Sequence, residues 1–362
     1  MPILIDAHQD LAYNIISFGR DYRRSALETR RIEVDSITRA ANGQCLLGYP
    51  EYIRGRVAMV IATLFVMPRR FRGGPWEKVD YATLAEANRL AKQQLDVYLR
   101  LCGENPEQFQ LIRNKREFSS HWTAWENSPD GTLLPVGLVL SIEGAEGVAD
   151  KNELAEWFEA GVRFIGPVWA GTRYCGGMYE PGKFTAEGLR FLEDMADLGY
   201  TLDIAHMTEE SALQALDRYE RPIIASHANA AALIEGDSAR RHLSDRVLLG
   251  LAERGGVVGT VPFNRFLLAG WRNDDPRWQV KLSRLVDHID HICQVTGSAH
   301  HAAIGTDFDG GFGWPAIPEE LDTIADLQLL DKLLSERGYA PDQIDAIFSG
   351  NWRRILEQTL PA

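Results

Sequence analysis

Eight short runs of the chain are apolar nearly throughout and rich in β-branched residues: Ile3–Ala7, Val57–Val66, Leu134–Ile142, Val162–Val168, Tyr200–Ala205, Pro222–Ser226, Gly256–Val261 and Ala302–Thr306. A strand with one wet face alternates apolar and polar residues, whereas a strand covered on both faces does not. These runs therefore predict buried strands. Helical spacing marks Tyr81–Leu101, Lys151–Glu159, Thr185–Leu198, Glu209–Arg218, Ser244–Arg254 and Arg277–Val295, with two more helices expected over Pro318–Arg337 and Asp342–Gln358. Alternating strand and helix implies a parallel sheet. Eight such units predict an α/β fold of the closed (β/α)8 TIM-barrel type more than an open sheet. One domain over residues 1–362 is expected, with loop insertions at about 68–80 and 103–131, the second being either an insertion or an irregular strand–helix unit. The run Arg69–Pro75 reads as a solvated connection or as a mobile loop over the barrel mouth.

Composition narrows the partners. The 362 residues are 45% hydrophobic and 25% charged, ordinary values for a globular protein with ample core. The net charge of −13 argues against nucleic acid or an anionic membrane as a general partner. Cys45, Cys102, Cys175 and Cys293 are far apart, which suggests free thiols in a reducing compartment and not a disulfide framework. No basic-then-apolar leader opens the sequence. No apolar stretch approaches the ~18–20 residues that span a bilayer. A cytoplasmic protein acting on a small molecule is expected, and a homodimer is compatible with this reading.

The chemistry sits where the strands end. The first run delivers His8-Gln9-Asp10, and residues two apart on a strand share a face. An imidazole and a carboxylate projecting together are the beginning of a transition-metal site. Glu143, His206, His227 and Asp307 follow four later runs in the same way. In barrel enzymes that end of the strands carries the active site. One such residue is ordinarily a capping or hydrogen-bonding group; five strand ends agreeing point to a site.

A ligand count sharpens the expectation. Zinc prefers about four N/O/S ligands. Two Zn2+ ions sharing a carboxylate and a water leave four places, which His8, Asp10, His206 and His227 fill. Glu143 is the natural bridge, having two oxygens. Asp307 remains as a base for the bridging water, whose pKa two metals lower toward ~7. One metal, or another divalent transition metal, with some of these groups outside its shell fits the same residues.

Other groups are weaker candidates. His288 and His291 read as a helix face, His300 and His301 as the wrong end of the barrel, and His121 as packing. His242 follows Arg240 and Arg241 and is a candidate outer group. An arginine at 240 or 241 could clamp an anionic substrate group, although a surface arginine is the ordinary reading. The glycines of Gly305–Gly311 lack the lysine and spacing of a phosphate cradle and are read as room for close backbone approach around Asp307.

The motifs Asp6-Ala7-His8-Gln9-Asp10, Ser141-Ile142-Glu143-Gly144, Asp203-Ile204-Ala205-His206, Ser226-His227, Ala239-Arg240-Arg241, Asp287–Ile292 and Ile304–Gly310 together resemble those of the membrane (renal) dipeptidase family. That family belongs to the amidohydrolase-like barrels. The resemblance covers nearly the whole chain, in order. It implies a two-zinc barrel that hydrolyses dipeptides, often tolerating a D-residue at the C-terminal position. It implies His8, Asp10 and Glu143 on one metal and Glu143, His206 and His227 on the other. It also implies Asp307 as the catalytic acid/base and Arg241 as the holder of the substrate's terminal carboxylate.

Three positions depart from the family pattern. Trp169 stands where a histidine that stabilises the tetrahedral intermediate is expected, so it becomes a candidate substrate-binding residue. Losing one such donor typically costs ~10²–10³ in turnover; the indole N–H or a metal would have to take its place. Glu146 also replaces an expected histidine, and Val261–Asn264 is more apolar than the pattern. The metal side is complete and the substrate side is altered. Alternatives to a dipeptide are therefore an N-acyl amino acid, a cyclic amide or a lactone, and a non-catalytic metal-binding barrel is a further one.

Overall fold

The computed structural model describes residues 1–362, the side chains of residues 237 and 238 excepted. All eight apolar runs form strands, labelled here β1 (Leu4–Gln9), β2 (Val57–Phe65), β3 (Val136–Glu143), β4 (Val162–Gly166), β5 (Thr201–Asp203), β6 (Ile223–Ile224), β7 (Val258–Thr260) and β8 (Ala302–Ile304). β1 to β6 pair in sequence order, every pair parallel. β7 pairs with β8. Parallel bridges Ala225↔Val258 and Gln9↔Phe308 join the two sets, so the ring closes as a barrel. Every residue of β1, β2 and β3 is buried, as the unbroken apolar pattern requires of strands covered on both faces.

The outer helices begin and end on local chemistry. Thr83 and Glu86 form a capping box at the start of Leu84–Glu104, so that helix begins three residues later than its apolar pattern suggests. Lys151–Glu159 and Glu209–Arg218 keep the boundaries read from sequence. The helix expected from Arg277 starts only at Ser283, after a single tight turn at Arg277–Gln279. Of Pro318–Arg337, only Leu329–Arg337 is α-helical.

Residues 11–54 hold four short helices, Leu11–Phe18, Ala26–Ile32, Ile37–Asn42 and Tyr49–Arg54, that periodicity does not reveal. Six to eight residues are too few to establish a 3.6-residue pattern. The 103–131 stretch contains a strand, Phe109–Leu111, paired beside β3, and a helix, Lys115–Glu126. The 68–80 stretch is tied down: Arg69 Nε reaches Asp80 at 2.6 Å and Arg70 Nε reaches Glu180 at 2.7 Å. No helix among the described residues is long and apolar enough to cross a membrane. The four cysteines are unpaired.

Asp6, fully buried in β1, fastens the barrel seam. Its carboxylate accepts the Thr306 backbone N–H at 2.7 Å, the Thr306 hydroxyl at 2.6 Å and the Gln9 amide at 2.6 Å. Replacing it by alanine leaves three buried donors without an acceptor. Asp6→Ala is expected to lower stability by about 3 kcal/mol in urea unfolding; a loss below about 1 kcal/mol would show that the seam does not depend on it.

Candidate metal centre

The strand register sets the side chains of the site at one end of the barrel. His8 lies near the end of β1, with Asp10 just beyond it, and Glu143 is the last residue of β3. His206, His227 and Asp307 lie three residues past β5, β6 and β8. All are buried except Asp307, the most open of the set, whose side chain is 14% exposed.

The structure brings these groups together. His8 Nε2 lies 3.6 Å from Asp10 Oδ2, 3.6 Å from Glu143 Oε2 and 3.9 Å from Asp307 Oδ1. The other Glu143 oxygen, Oε1, lies 2.8 Å from His206 Nε2 and 3.5 Å from His227 Nε2. The two imidazole Nε2 atoms are 2.8 Å apart. Ligand atoms on a tetrahedral zinc at ~2.0–2.1 Å stand roughly 3.3 Å from one another, so the separations of 3.5–3.9 Å leave room for a cation, while the two of 2.8 Å at His206 are hydrogen-bond distances that would widen around one. His8 Nε2, Asp10 Oδ1 and Glu143 Oε1 are buried with no hydrogen-bond partner. Buried polar atoms are normally paired, and donors of this chemistry in this number fit divalent cations. Asp307 is close enough to His8 to ligate as well as to act as a base.

Electrostatics express the same crowding. Burial raises Glu143 well above the usual carboxylate range; His8 opposes this, and Asp10 and Asp307 add to it. Burial likewise lifts Asp307 to about 7, against the pull of His8 and with Asp10 reinforcing it. Burial pulls His8 down, but Glu143, Asp10 and Asp307 outweigh it and raise the imidazole to about 10. His206 and His227 are held well below the ordinary histidine value, chiefly by burial and then by Arg241 and His8.

A second layer orients the ligand-type residues. Asp203 Oδ1 accepts the backbone N–H of Ala205 at 3.0 Å and of Ser226 at 2.9 Å. The Ser226 hydroxyl donates to Asp203 Oδ2, which leaves its lone pair to His227 Nδ1 at 2.8 Å. That chain assigns the proton to Nδ1 and frees the Nε2 lone pair. Thr63 Oγ1 stands 3.3 Å from His8 Nδ1 and 3.0 Å from Ser141 Oγ. Asp203 and Ser226 escape a search for ligand types, although an aspartate in an otherwise apolar buried strand must find partners.

Two site residues have left-handed backbone, His206 at φ 65° and Asp307 at φ 56°. Such conformations are uncommon outside glycine and gather at functional sites. Gly310 is needed where it is, because a Cβ there would lie 2.0 Å from Asp307 Oδ1 and 3.0 Å from Asp10 Oδ2.

Arg241 is buried against the centre. Its Nη2 donates to the His227 carbonyl at 3.0 Å and lies 3.1 Å from His206 Nε2, while its Nη1 is without a hydrogen-bond partner. Arg240 instead lines a separate cavity of 610 Å³, beyond Met178, that is not lined by His8, Asp10, Glu143, His206, His227 or Asp307. Trp169 forms an aromatic wall with Phe65, Phe71 and Tyr179, at ring distances of 5.4, 5.8 and 5.1 Å, and lies 6.1 Å from His206. Phe65 and Trp169 of this wall, with Tyr13 and Met67, bound a cavity of 120 Å³ over Asp10, Glu143, His206 and Asp307. Phe71 brings the 68–80 stretch against Trp169 and Tyr179. Glu146 is engaged by Arg173, whose backbone N–H donates to it at 3.1 Å.

The remaining histidines stand apart. His121 is buried with Nε2 2.8 Å from the Ala58 carbonyl, and His291 pairs with Asp245 at 2.7 Å. His288 accepts the Ala230 N–H, and His242 accepts that of Asn229 and packs on Phe266. His301 meets the Gly256 carbonyl at the opposite end of β7.

Comparisons with known proteins place the chain in a family. The model of the membrane dipeptidase family, peptidase family M19, matches residues 1–361. An uncharacterized protein in the pqqA 5′ region of Klebsiella pneumoniae is 33% identical over 232 residues, 61% of this chain and 82% of that protein. Dipeptidase 3 of Mus musculus is 26% identical over 286 residues, 75% of this chain, and the match spans about half (52%) of its own length. A metallopeptidase from Rhodobacter sphaeroides, solved with a phosphinate mimic of the dipeptide L-Ala-D-Ala, shares the fold at a TM-score of 0.75 and 22% identity, covering 99% of this chain and 100% of that one. By the match across its whole length, the chain belongs to the membrane dipeptidase family of metallopeptidases.

Proposed function

We propose that the protein hydrolyses dipeptides with two divalent cations, most simply Zn2+. The observation that carries this reading is the convergence of three imidazoles, His8, His206 and His227, on the two oxygens of Glu143, with Asp10 beside His8. His8 and Asp10 would hold one ion, His206 and His227 the other, and Glu143 both. When bound, the ions would polarise the scissile carbonyl and lower the pKa of a water molecule.

The chain's own groups supply the rest. Asp307, lifted by burial to about 7, takes a proton from the attacking water and returns it to the leaving amine. Arg241 offers its unpartnered Nη1 to the substrate's carboxylate. The aromatic wall around Trp169 keeps water from the small cavity and favours a compact substrate. The dipeptide mimic in the Rhodobacter sphaeroides structure supports a substrate of this size and motivates an L,D-dipeptide. The same apolar wall favours a second reading, an N-acyl amino acid, a cyclic amide or a lactone at the same centre.

Chelation is expected to abolish turnover of a dipeptide panel and added zinc to restore it; turnover indifferent to chelator would overturn the reading. Activity confined to N-acyl amino acids, cyclic amides or lactones would select the second reading. Two variants separate the roles. Asp307→Asn should lower kcat by about 10²–10⁴ with little change in KM. Arg241→Lys should raise KM by about 10- to 100-fold, the loss of a two-pronged charged contact. Equal effects of both variants on KM would contradict the assignment.

A further inference from the structure

The loop that carries Asp307 makes two left-handed turns, at Asp307 (φ 56°) and at Asp309 (φ 63°). Such backbone persists where its surroundings over-determine it. For Asp309 those surroundings come from one place, the helical segment between β1 and β2. Its carboxylate accepts the Leu46 N–H at 2.9 Å, the Tyr22 hydroxyl at 3.2 Å and the Cys45 thiol at 3.3 Å. Its carbonyl accepts the side-chain amides of Asn14 at 3.0 Å and Asn42 at 2.9 Å. Arg20 Nη1 lies 3.0 Å from Asp309 Oδ2 but makes no well-directed hydrogen bond, so this contact is mainly ionic. Arg20 is fixed in turn by a two-pronged pair with Glu33 at 2.9 and 3.0 Å. Arg20 and Asp309 are both buried.

A buried ion pair is weak evidence of stabilisation for its own sake, because desolvation offsets much of the attraction. It is informative about placement. This pair joins the proposed base loop to residues 11–54, a part of the chain that supplies no strand of the barrel and no ligand-type side chain of the centre. Asp6 on Thr306 and the His8 carbonyl on the Asp307 N–H at 3.2 Å hold the start of the loop. Its far side is held by the contacts of Asp309 and, farther on, by the reciprocal backbone pair of Gln44 and Trp314 at 3.0 and 2.9 Å, both made by residues 11–54.

We infer that the Arg20–Asp309 pair is a positioning device, through which residues 11–54 hold the loop so that the Asp307 carboxylate meets the substrate in its working orientation. The inference rests on the reading of Asp307 as the proton carrier. A displacement of about 1 Å at a reacting group can cost on the order of 10²-fold in rate, so a small relaxation of this loop is enough to register.

Asp309→Asn keeps the side chain's size and removes its charge. In the full-length, metal-loaded chain it is expected to lower kcat by about 10- to 100-fold, with KM and metal content as in the wild type. Amide hydrogen exchange across 305–311 should rise by about 10-fold while β1 to β4 stay protected. Glu51→Gln, in the same segment but away from Asp309, controls for general destabilisation and should leave kcat unchanged. Tyr22→Phe, a milder change, should lower kcat in the same direction and so serves if Asp309→Asn does not fold. Wild-type kcat in folded Asp309→Asn, unchanged exchange at 305–311, or an equal loss in Glu51→Gln would each overturn the inference. A wild-type chain inactive on dipeptides would count against the proposed function alone, because the exchange measurement decides the positioning claim without turnover.

Discussion

The structure depends on holding like charges together. Asp10, Glu143 and Asp307 surround His8 at 3.6–3.9 Å, in a space largely closed to water. Arg241 is an arginine brought to the centre, where it meets the His206 imidazole and the His227 carbonyl. Burial and mutual repulsion drive Glu143 and Asp307 toward protonation, and the surrounding carboxylates drive the His8 imidazole toward the charged form. Divalent cations relieve every one of these conflicts at once. Without them the cluster opposes folding, and the surrounding scaffold must be stiff enough to hold it open.

That stiffness is built in layers. A closed parallel barrel fixes the strand ends, and Asp6 ties the first strand to the loop after the last. Asp203 joins the ends of the fifth and sixth strands, and through Ser226 it fixes which nitrogen of His227 carries the proton. Asp309 does the corresponding work for the loop after the eighth strand, drawing on the helices of residues 11–54. In each case a buried aspartate that is not itself a ligand type at the centre accepts backbone N–H groups from elements distant in sequence. The aromatic wall of Phe65, Phe71, Trp169 and Tyr179 then covers the open side.

Much of this was legible in the chain because burial on both faces writes an unbroken apolar run. All eight barrel strands could be read that way, and a His, Asp or Glu at the end of such a run stands out against it. The four short helices of residues 11–54 could not be read, since six to eight residues do not establish a period. The 103–131 stretch holds the irregular strand–helix unit that was one of its two readings, but the bounds of the strand at Phe109–Leu111 and the helix at Lys115–Glu126 were not legible. The second layer was also hidden. Asp6, Asp203 and Asp309 all lie within the quoted motifs, yet only three-dimensional contacts distinguish an aspartate that aims a ligand from one that is a ligand. Arg240 and Arg241 are adjacent in sequence, and only the backbone path between β6 and β7 sends one to a side cavity and the other to the centre.

The most direct test is anomalous diffraction at the zinc absorption edge from crystals of the full-length, zinc-loaded chain. Two peaks about 3.5–4 Å apart, one beside His8 and Asp10 and the other beside His206 and His227 with Glu143 between them, are the predicted result. A single peak, or zinc bound away from Glu143, would contradict the account.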